Sequence, residues 1–299
     1  MPLLDSGIDS LMLKKRLLFG TLMTVAFAAI VLFDGWLDGT ITKSPADDKP
    51  LQATILAILI ASLMVPAQLE LSKLAAAKGA KTLTSFTTIL SILLATGWYW
   101  QQFVKISPQI CTNLLLSFAI LGLLYCHYAC HGISGALVNC GVSSFGILYL
   151  GILSSFALGI RIDFGLWSLL MVIFTIKSAD IGAYAIGSAF GKHKFSPKIS
   201  PGKTWEGMAG AVAAAVIVAI LFAALCGIMV YWLATIFGIF LAFVGQLGDL
   251  AESLLKRDAE QKDSSSSVPG FGGILDVIDS PLGAMPFAYI FLLFARHCV

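Results

Sequence analysis

Charge is scarce in this chain. Asp, Glu, Lys and Arg make up 12% of its 299 residues, about half the share of a typical soluble domain. Apolar residues make up 58%, and mean hydropathy is +0.89. A soluble globule of this size could not hide that much apolar surface behind so few charges. The same numbers exclude a disordered chain, which needs low hydrophobicity and high charge. A disulfide framework is missing too. The six cysteines (Cys111, Cys126, Cys130, Cys140, Cys226 and Cys298) lie in or beside apolar runs with no small-domain spacing, and they read as buried thiols or small hydrophobes. An integral membrane protein is the class that remains.

What the chain does have is long apolar runs. Crossing a bilayer takes about 20 helical residues, and nine candidates fit: 17–33, 51–69, 83–103, 110–128, 144–160, 165–180, 207–226, 228–247 and 281–297. The first follows Lys14-Lys15-Arg16, but its apolar run is too long for a signal peptide and no cleavage site follows, so it reads as a retained helix. The expected fold is all-α, a polytopic membrane helix bundle. With the N-terminus cytoplasmic, 14 of the 19 basic residues fall inside and five outside, the bias that membrane insertion favours. Two regions follow. Residues 1–164 form a scaffold of apolar helices, and 165–299 form a region with two polar cytoplasmic loops, 177–206 and 248–280. The segment 34–50, with Asp34, Asp38, Asp47 and Asp48, reads as a solvated external loop. No internal repeat suggests an inverted-repeat transporter.

Residues 126–131 read CHYACH, with Cys126/Cys130 and His127/His131 each at i,i+4 on one helix face. Helix packing is the plainer reading and a metal site the alternative; the spacing does not match covalent haem attachment.

The first polar loop contains SADIGAYAIGSAFGKHKFSPKISPGKTWEG, Ser178 to Gly207. Its glycines and prolines break up a long helix, and small residues let backbone N–H groups approach a phosphate. Lys192, Lys194, Lys198 and Lys203 add positive charge. Gly202-Lys203-Thr204 looks like the end of a Walker A loop, but Pro197 stands where that motif needs glycine and no strand precedes it. Contact with anionic lipid headgroups is the alternative use of these lysines. In the second loop, Asp249, Ser253 and Lys256 or Arg257 share one helix face, and Asp276 and Asp279 are i,i+3. Carboxylates beside hydrocarbon are costly unless paired or bound to a cation. Asp249, Asp276 and Asp279 offer hard oxygen ligands suited to Mg²⁺; pairing with Lys256, Arg257 and Lys262 is the other reading.

These two loops resemble the CDP-diacylglycerol synthase (phosphatidate cytidylyltransferase) family. The resemblance covers residues 178–282 and rests on Ser253, Lys256, Arg257, Lys262, Asp263, Pro269, Gly270, Gly272, Gly273, Asp276 and Asp279 in the family's order and spacing. Two positions depart from it: Phe271 where the family has His, and Val277 where it has Arg between the two aspartates. The resemblance implies CTP + phosphatidate → CDP-diacylglycerol + pyrophosphate. It implies Asp249, Asp276 and Asp279 as ligands of Mg²⁺, with a two-cation site open and the second ion unidentified. Lys256, Arg257, Ser253 and Glu206 would be catalytic. Lys203, Thr204, Ser200 and Asp180 would hold substrate, with pairing to Lys177 as the other reading of Asp180. The expected partners are CTP, phosphatidate and membrane lipids, without nucleic acid; a homodimer is left open. The expected location is the inner (plasma) membrane, with the active site on the cytoplasmic side. Two rivals remain: a CDP-lipid phosphotransferase, whose Asp-Gly-x-x-Ala-Arg pattern is absent, and an ion-coupled transporter, which would place its carboxylates near mid-span.

Overall fold

A computed structural model describes residues 5–42, 47–104, 106–268 and 272–297, with side chains from residue 20 onward. Lys43, Lys105, Pro269, Gly270, Phe271 and Cys298 fall outside the described residues. The chain folds into helices: α1 Asp5–Asp38, α2 Thr54–Ala77, α3 Thr84–Ala95, α4 Gly97–Gln101, α5 Pro108–His131, α6 Ala136–Gly146, α7 Leu153–Asp163, α8 Leu166–Phe190, α9 Trp205–Cys226, α10 Tyr231–Asp258 and α11 Ile274–His297. A π-helical turn, Ile147–Ile152, joins α6 to α7 without interrupting the rod. Among the described residues there is no strand; two isolated bridges, Lys194 to Thr204 and Val268 to Gly272, close small loops.

Eight of these helical segments are long and apolar enough to cross a membrane, and the protein is an integral membrane protein. The ninth expected span, 83–103, is α3 followed by α4, broken at Thr96. The Thr96 hydroxyl donates back to Ile92 O (2.7 Å), a side-chain bond that competes with the helix ladder. The pair still runs the length of the bundle. At one end Lys81 N donates to Asn139 Oδ1 (2.8 Å) at the start of α6. At the other, Gln52 N donates to Gln102 Oε1 (2.8 Å) and Trp98 Nε1 to Asp163 Oδ2 (3.1 Å) at the end of α7. Nine traverses therefore place the start of α1 and the starts of α9 and α11 at one end, and the end of α11 at the other.

Without a hydrophobic force between helices in lipid, close association needs small residues. Helices α8 and α9 pack most extensively, and their backbones meet at Gly182 and Gly210, where a Cβ on Gly210 would stand 2.5 Å from Gly182 O. The outward surface is apolar: Leu121, Tyr125, Leu137, Ile217 and Leu225 are all exposed.

Two expectations change. The acidic segment 34–50 is not all solvated loop. Helix α1 runs on to Asp38, so Asp34 and Asp38 are buried. Arg161 Nη2 reaches Asp34 Oδ2 (3.3 Å) and Asp38 Oδ2 (2.7 Å). Ile55 N donates to Asp34 Oδ1 (2.8 Å) and Ala53 N to Asp38 Oδ2 (3.0 Å). This cluster ties α1, α2 and α7 together at the end where α1 stops. The polar stretches are also more helical than expected. Helix α8 continues to Phe190, α10 to Asp258, and α11 starts at Ile274. The connections shrink to residues 191–204 and 259–273. Hydropathy marks only where a helix faces lipid, so it ends each span early when one face turns polar.

Residues 126–131 pack as the last turn of α5. His127 is buried, its Nε2 lies 3.3 Å from Ser134 O, and its ring stacks on His131 at 5.2 Å; Cys130 is exposed.

Candidate active site

The polar residues converge at the end of the bundle where α9 and α11 begin. Helices α10 and α11 approach closely beside it. A Cβ on Gly283 would lie 2.6 Å from Gly248 Cα, and one on Gly248 2.8 Å from Asp279 O. With no side chain between them, the two helices bring Asp249 and Asp279 together. Glu252 lies one turn along α10 from Asp249, on the same face. One carboxylate oxygen from each of Asp249, Glu252 and Asp279 lies within 4.8 Å of the others. Glu252 is fully buried. Its Oε2 sits against the Lys256 ammonium, and its Oε1 has no hydrogen-bond partner.

Lysines ring this group. Lys203 Nζ pairs with Asp249 Oδ2 (2.8 Å) and donates to Gln246 O (3.0 Å). Lys256 Nζ bridges Glu252 and Asp276 Oδ1 (2.5 Å). Lys177 Nζ lies 3.6 Å from Asp180 Oδ2 and donates to Val277 O (3.0 Å). That carbonyl is free because Pro281, four residues on, has no N–H to offer it. The family's Arg position thus contributes a backbone acceptor here. Asp180 also accepts from Gln246 Nε2 and Ser280 Oγ, both at 3.4 Å. The Ser253 hydroxyl donates to Asp249 Oδ1 (3.2 Å).

Of the three aspartates expected together, Asp249 and Asp279 meet, and Glu252 completes the group. Asp276 faces elsewhere: Oδ1 takes Lys256, and Oδ2 accepts from Gly273 N (2.7 Å), Ser264 N (2.9 Å) and Ser264 Oγ (2.8 Å). Arg257 reaches out to Ile199 O (3.2 Å) and Gln261 O (3.1 Å), clamping the two connecting loops. Glu206 accepts from Lys192 N, His193 N and His193 Nδ1 (3.1, 3.2 and 2.6 Å), so it braces the 191–204 loop. Thr204 caps α9, its Oγ1 accepting from Gly207 N (3.1 Å), which leaves its O–H free to donate. Ser200 sits in the turn that leads to Lys203, its carbonyl accepting from Lys203 N (3.2 Å).

Five carboxylates (Asp180, Asp249, Glu252, Asp276 and Asp279) face three lysines here. With Glu70, which shares Ser264 with Asp276, the acids outnumber the lysines by three. Sequence reasoning misses three contributors and places a fourth, Lys177, only as a partner of Asp180. Glu252 was visible as the acid midway between Asp249 and Lys256 on one helix face. Lys177 was counted with the loop but lies on α8. Glu70, on α2, was a lone acid in an apolar run, an expensive placement that itself signals use. The third is Tyr149, in the π-turn. Its buried hydroxyl has no hydrogen-bond partner and lies within electrostatic reach of Asp249, Glu252 and Asp279; π-turns recur at functional sites.

Comparison with known proteins gives the family. A family model described as "Cytidylyltransferase family" matches residues 47–295. Similar curated proteins include a phosphatidate cytidylyltransferase of Bacillus subtilis (strain 168), 41% identical over 155 residues, 51% of this chain and 58% of that one. Another, from Haemophilus influenzae, is 43% identical over 141 residues, 44% of this chain and 47% of that one. A third, from Chlamydia muridarum, is 34% identical over 177 residues, 54% of this chain and 58% of that one. The chain thus spans about half the length of the curated relatives it matches. The match to the family model takes in both polar stretches and most of the apolar helices before them, and the chain belongs to the cytidylyltransferase family.

Proposed function

We propose that this protein transfers the cytidylyl group of CTP to phosphatidate and releases pyrophosphate. The observation that carries this reading is the convergence of Asp249, Glu252 and Asp279 with Lys203 and Lys256 at one end of a membrane bundle. Family membership and the names of the relatives support it. A cytosolic nucleotide and a membrane lipid can both reach such a place.

In the reaction an oxygen of the phosphatidate phosphate attacks the α-phosphorus of CTP. A new P–O bond forms, and the bond from the α-phosphorus to the bridging oxygen breaks, its electrons leaving on pyrophosphate. The attacking oxygen is already ionised, so no strong general base is needed. The obstacle is bringing two polyanions together, and such reactions are catalysed mainly by positioning and charge neutralisation.

Asp249, Glu252 and Asp279 fit a divalent cation. They are hard oxygen donors, one of them is buried with an unpartnered oxygen, and the acids around them outnumber the lysines. Mg²⁺ held there supplies neutralisation of phosphate charge. Lys256, fixed between Glu252 and Asp276, presents its ammonium to the α-phosphate or the departing pyrophosphate. Lys203 and the free Thr204 O–H bind nucleotide phosphates, with Ser200 in the supporting turn. Ser253 orients Asp249. Asp276 acts by holding Lys256, Asp180 by holding Lys177, and Arg257 and Glu206 by fixing the loop that carries Lys203.

The same reading sets the site on the cytoplasmic face of the inner (plasma) membrane. The start of α1 and the connections after α2, α8 and α10 fall at the site's end of the bundle, in keeping with the distribution of Lys and Arg across membranes.

The test is incubation of purified protein with CTP labelled in the α-phosphate, phosphatidate and Mg²⁺. Label entering the lipid phase is expected. CTP labelled in the γ-phosphate should instead give labelled pyrophosphate. No lipid label, or lipid label from the γ-position, would overturn the reading.

A further inference from the structure

Glu70 lies in α2, far along the chain from the polar stretches, yet it is among the most heavily hydrogen-bonded side chains of the molecule. It is 3% exposed. Its Oε1 accepts from Ser265 Oγ (2.7 Å) and Ile274 N (3.1 Å). Its Oε2 accepts from Ser264 Oγ (2.9 Å) and Leu275 N (2.9 Å). Two of these donors are backbone N–H groups of the first turn of α11, which no helical carbonyl can serve. The other two belong to the serine stretch that leads into α11. Ser265 Oγ, Ile274 N and Leu275 N donate outright and between them reach both oxygens, so the position requires an acceptor at each.

The anchored turn carries Asp276. Ser264 donates from both its N–H and its hydroxyl to Asp276 Oδ2, while the same hydroxyl also meets Glu70. The tie to Asp276 through the N–H persists whichever carboxylate the single hydroxyl proton serves. Asp276 in turn holds Lys256 Nζ at 2.5 Å. A continuous chain of bonds therefore runs from Glu70 through Ser264 and the α11 N-terminus to Asp276 and Lys256. Gly273 is part of it. A Cβ there would collide with both Ser264 Oγ and Glu70 Oε2, so the carboxylate occupies space that only glycine leaves open.

We propose that Glu70 is a positioning residue of the active site, supplied by the N-terminal half, which fixes the start of α11 so that Asp276 holds Lys256 at the reacting phosphates. The apolar half is then more than a scaffold. The kinetic part of this inference rests on the transfer activity proposed above; the anchoring part does not.

The decisive substitution is Glu70→Gln in the full chain. Glutamine fills the same space but turns an N–H₂ toward donors, so half of the anchor is lost. Expected is a fall in kcat of about 100-fold, the cost of a misplacement of about 1 Å, with KM for CTP and for phosphatidate changed less than about threefold and an unaltered melting temperature. Hydrogen exchange should quicken at residues 273–276 and stay unchanged in the middle of α10. Wild-type kcat would overturn the proposal. So would a loss of kcat that comes only with a lower melting temperature and faster exchange throughout the bundle. If Glu70→Gln does not fold, Ser265→Ala decides: it removes one bond of the four, and a kcat reduced by about 3- to 10-fold at constant KM is expected, against unchanged kcat as the refuting result. Should the unaltered protein transfer no cytidylyl group, the activity reading falls alone. Local quickening at 273–276 would still support the anchor, and its absence would sink it.

Discussion

The two ends of the bundle treat buried charge in opposite ways. At the distal end Arg161 sits between Asp34 and Asp38, and backbone N–H groups of Ala53 and Ile55 donate to one oxygen of each carboxylate, while Arg161 Nε and Nη1 find no acceptor. One cation meets two anions, all three are nearly or fully buried, and the bonds join three helices. At the site end, five carboxylates meet three lysines that reach in from α8, α10 and the start of α9, and Glu252 Oε1 is left without a donor. The first cluster keeps its one cation between two acids and holds α1, α2 and α7 together. The second is under-compensated and suited to accept charge from outside. In a low-dielectric setting neither arrangement is cheap, and the proposed function gives a use in chemistry only to the second.

That contrast can be broken at either end. The largest effect is expected from Arg161→Ala, which strands two buried carboxylates. Removing one partner of a buried pair costs about 3–5 kcal/mol, so thermal melting should drop sharply, while protein that remains folded keeps its KM values. Equal melting of variant and parent would make the distal cluster dispensable and erase the contrast. Next comes Asp279→Asn, which removes a carboxylate from the under-compensated group. Lipid labelling from CTP should fall by about 10²–10³-fold, with melting unchanged or raised because repulsion is relieved. Activity retained at ordinary Mg²⁺ would count against a cation held there. Lys256→Ala should lower kcat by about 100-fold with smaller effects on KM for phosphatidate, read from initial rates at varied lipid fraction; an unchanged turnover number refutes its role. The smallest effect belongs to Glu206→Gln, which loosens the 191–204 loop by weakening its bond to His193. A bond of about 1 kcal/mol corresponds to about a fivefold rise in KM for CTP, with kcat nearly constant. A change in kcat alone would move Glu206 from the loop to the chemistry.

Much of this was readable beforehand, and the residues show why. Membrane helices announce themselves because a bilayer demands continuous apolar length, and the motif around Ser253, Lys256 and Asp279 is dense enough to indicate the family. Asp249 and Asp279 were identified by their placement beside apolar runs. Asp276 was grouped with Asp279 on spacing alone; at i,i+3 two side chains can share a side of a helix and still diverge to different partners. Glu252 went unnoticed because an acid four residues before a lysine looks like an ordinary helix-surface pair. Asp34 and Asp38 looked solvated because their partner, Arg161, is more than a hundred residues away. Lys177 is legible as a partner of Asp180 three residues on, but its bond to Val277 O is not, since nothing local shows that Pro281 leaves that carbonyl without a donor.

The sequence by itself determined the solvent of this protein, its helical class, the bias of basic residues to one side and the two polar stretches that resemble the family. Each of these follows from local composition or short spacing, which the chain carries wherever it folds. Only the tertiary structure decided which carboxylates meet, which lysine each one holds, and that Glu70 of the second helix fastens the start of the last. Those are contacts between segments up to about two hundred residues apart. They exist only once glycine pairs such as Gly248 and Gly283 have let helices close to backbone distance, and no local rule encodes which helix will stand beside which.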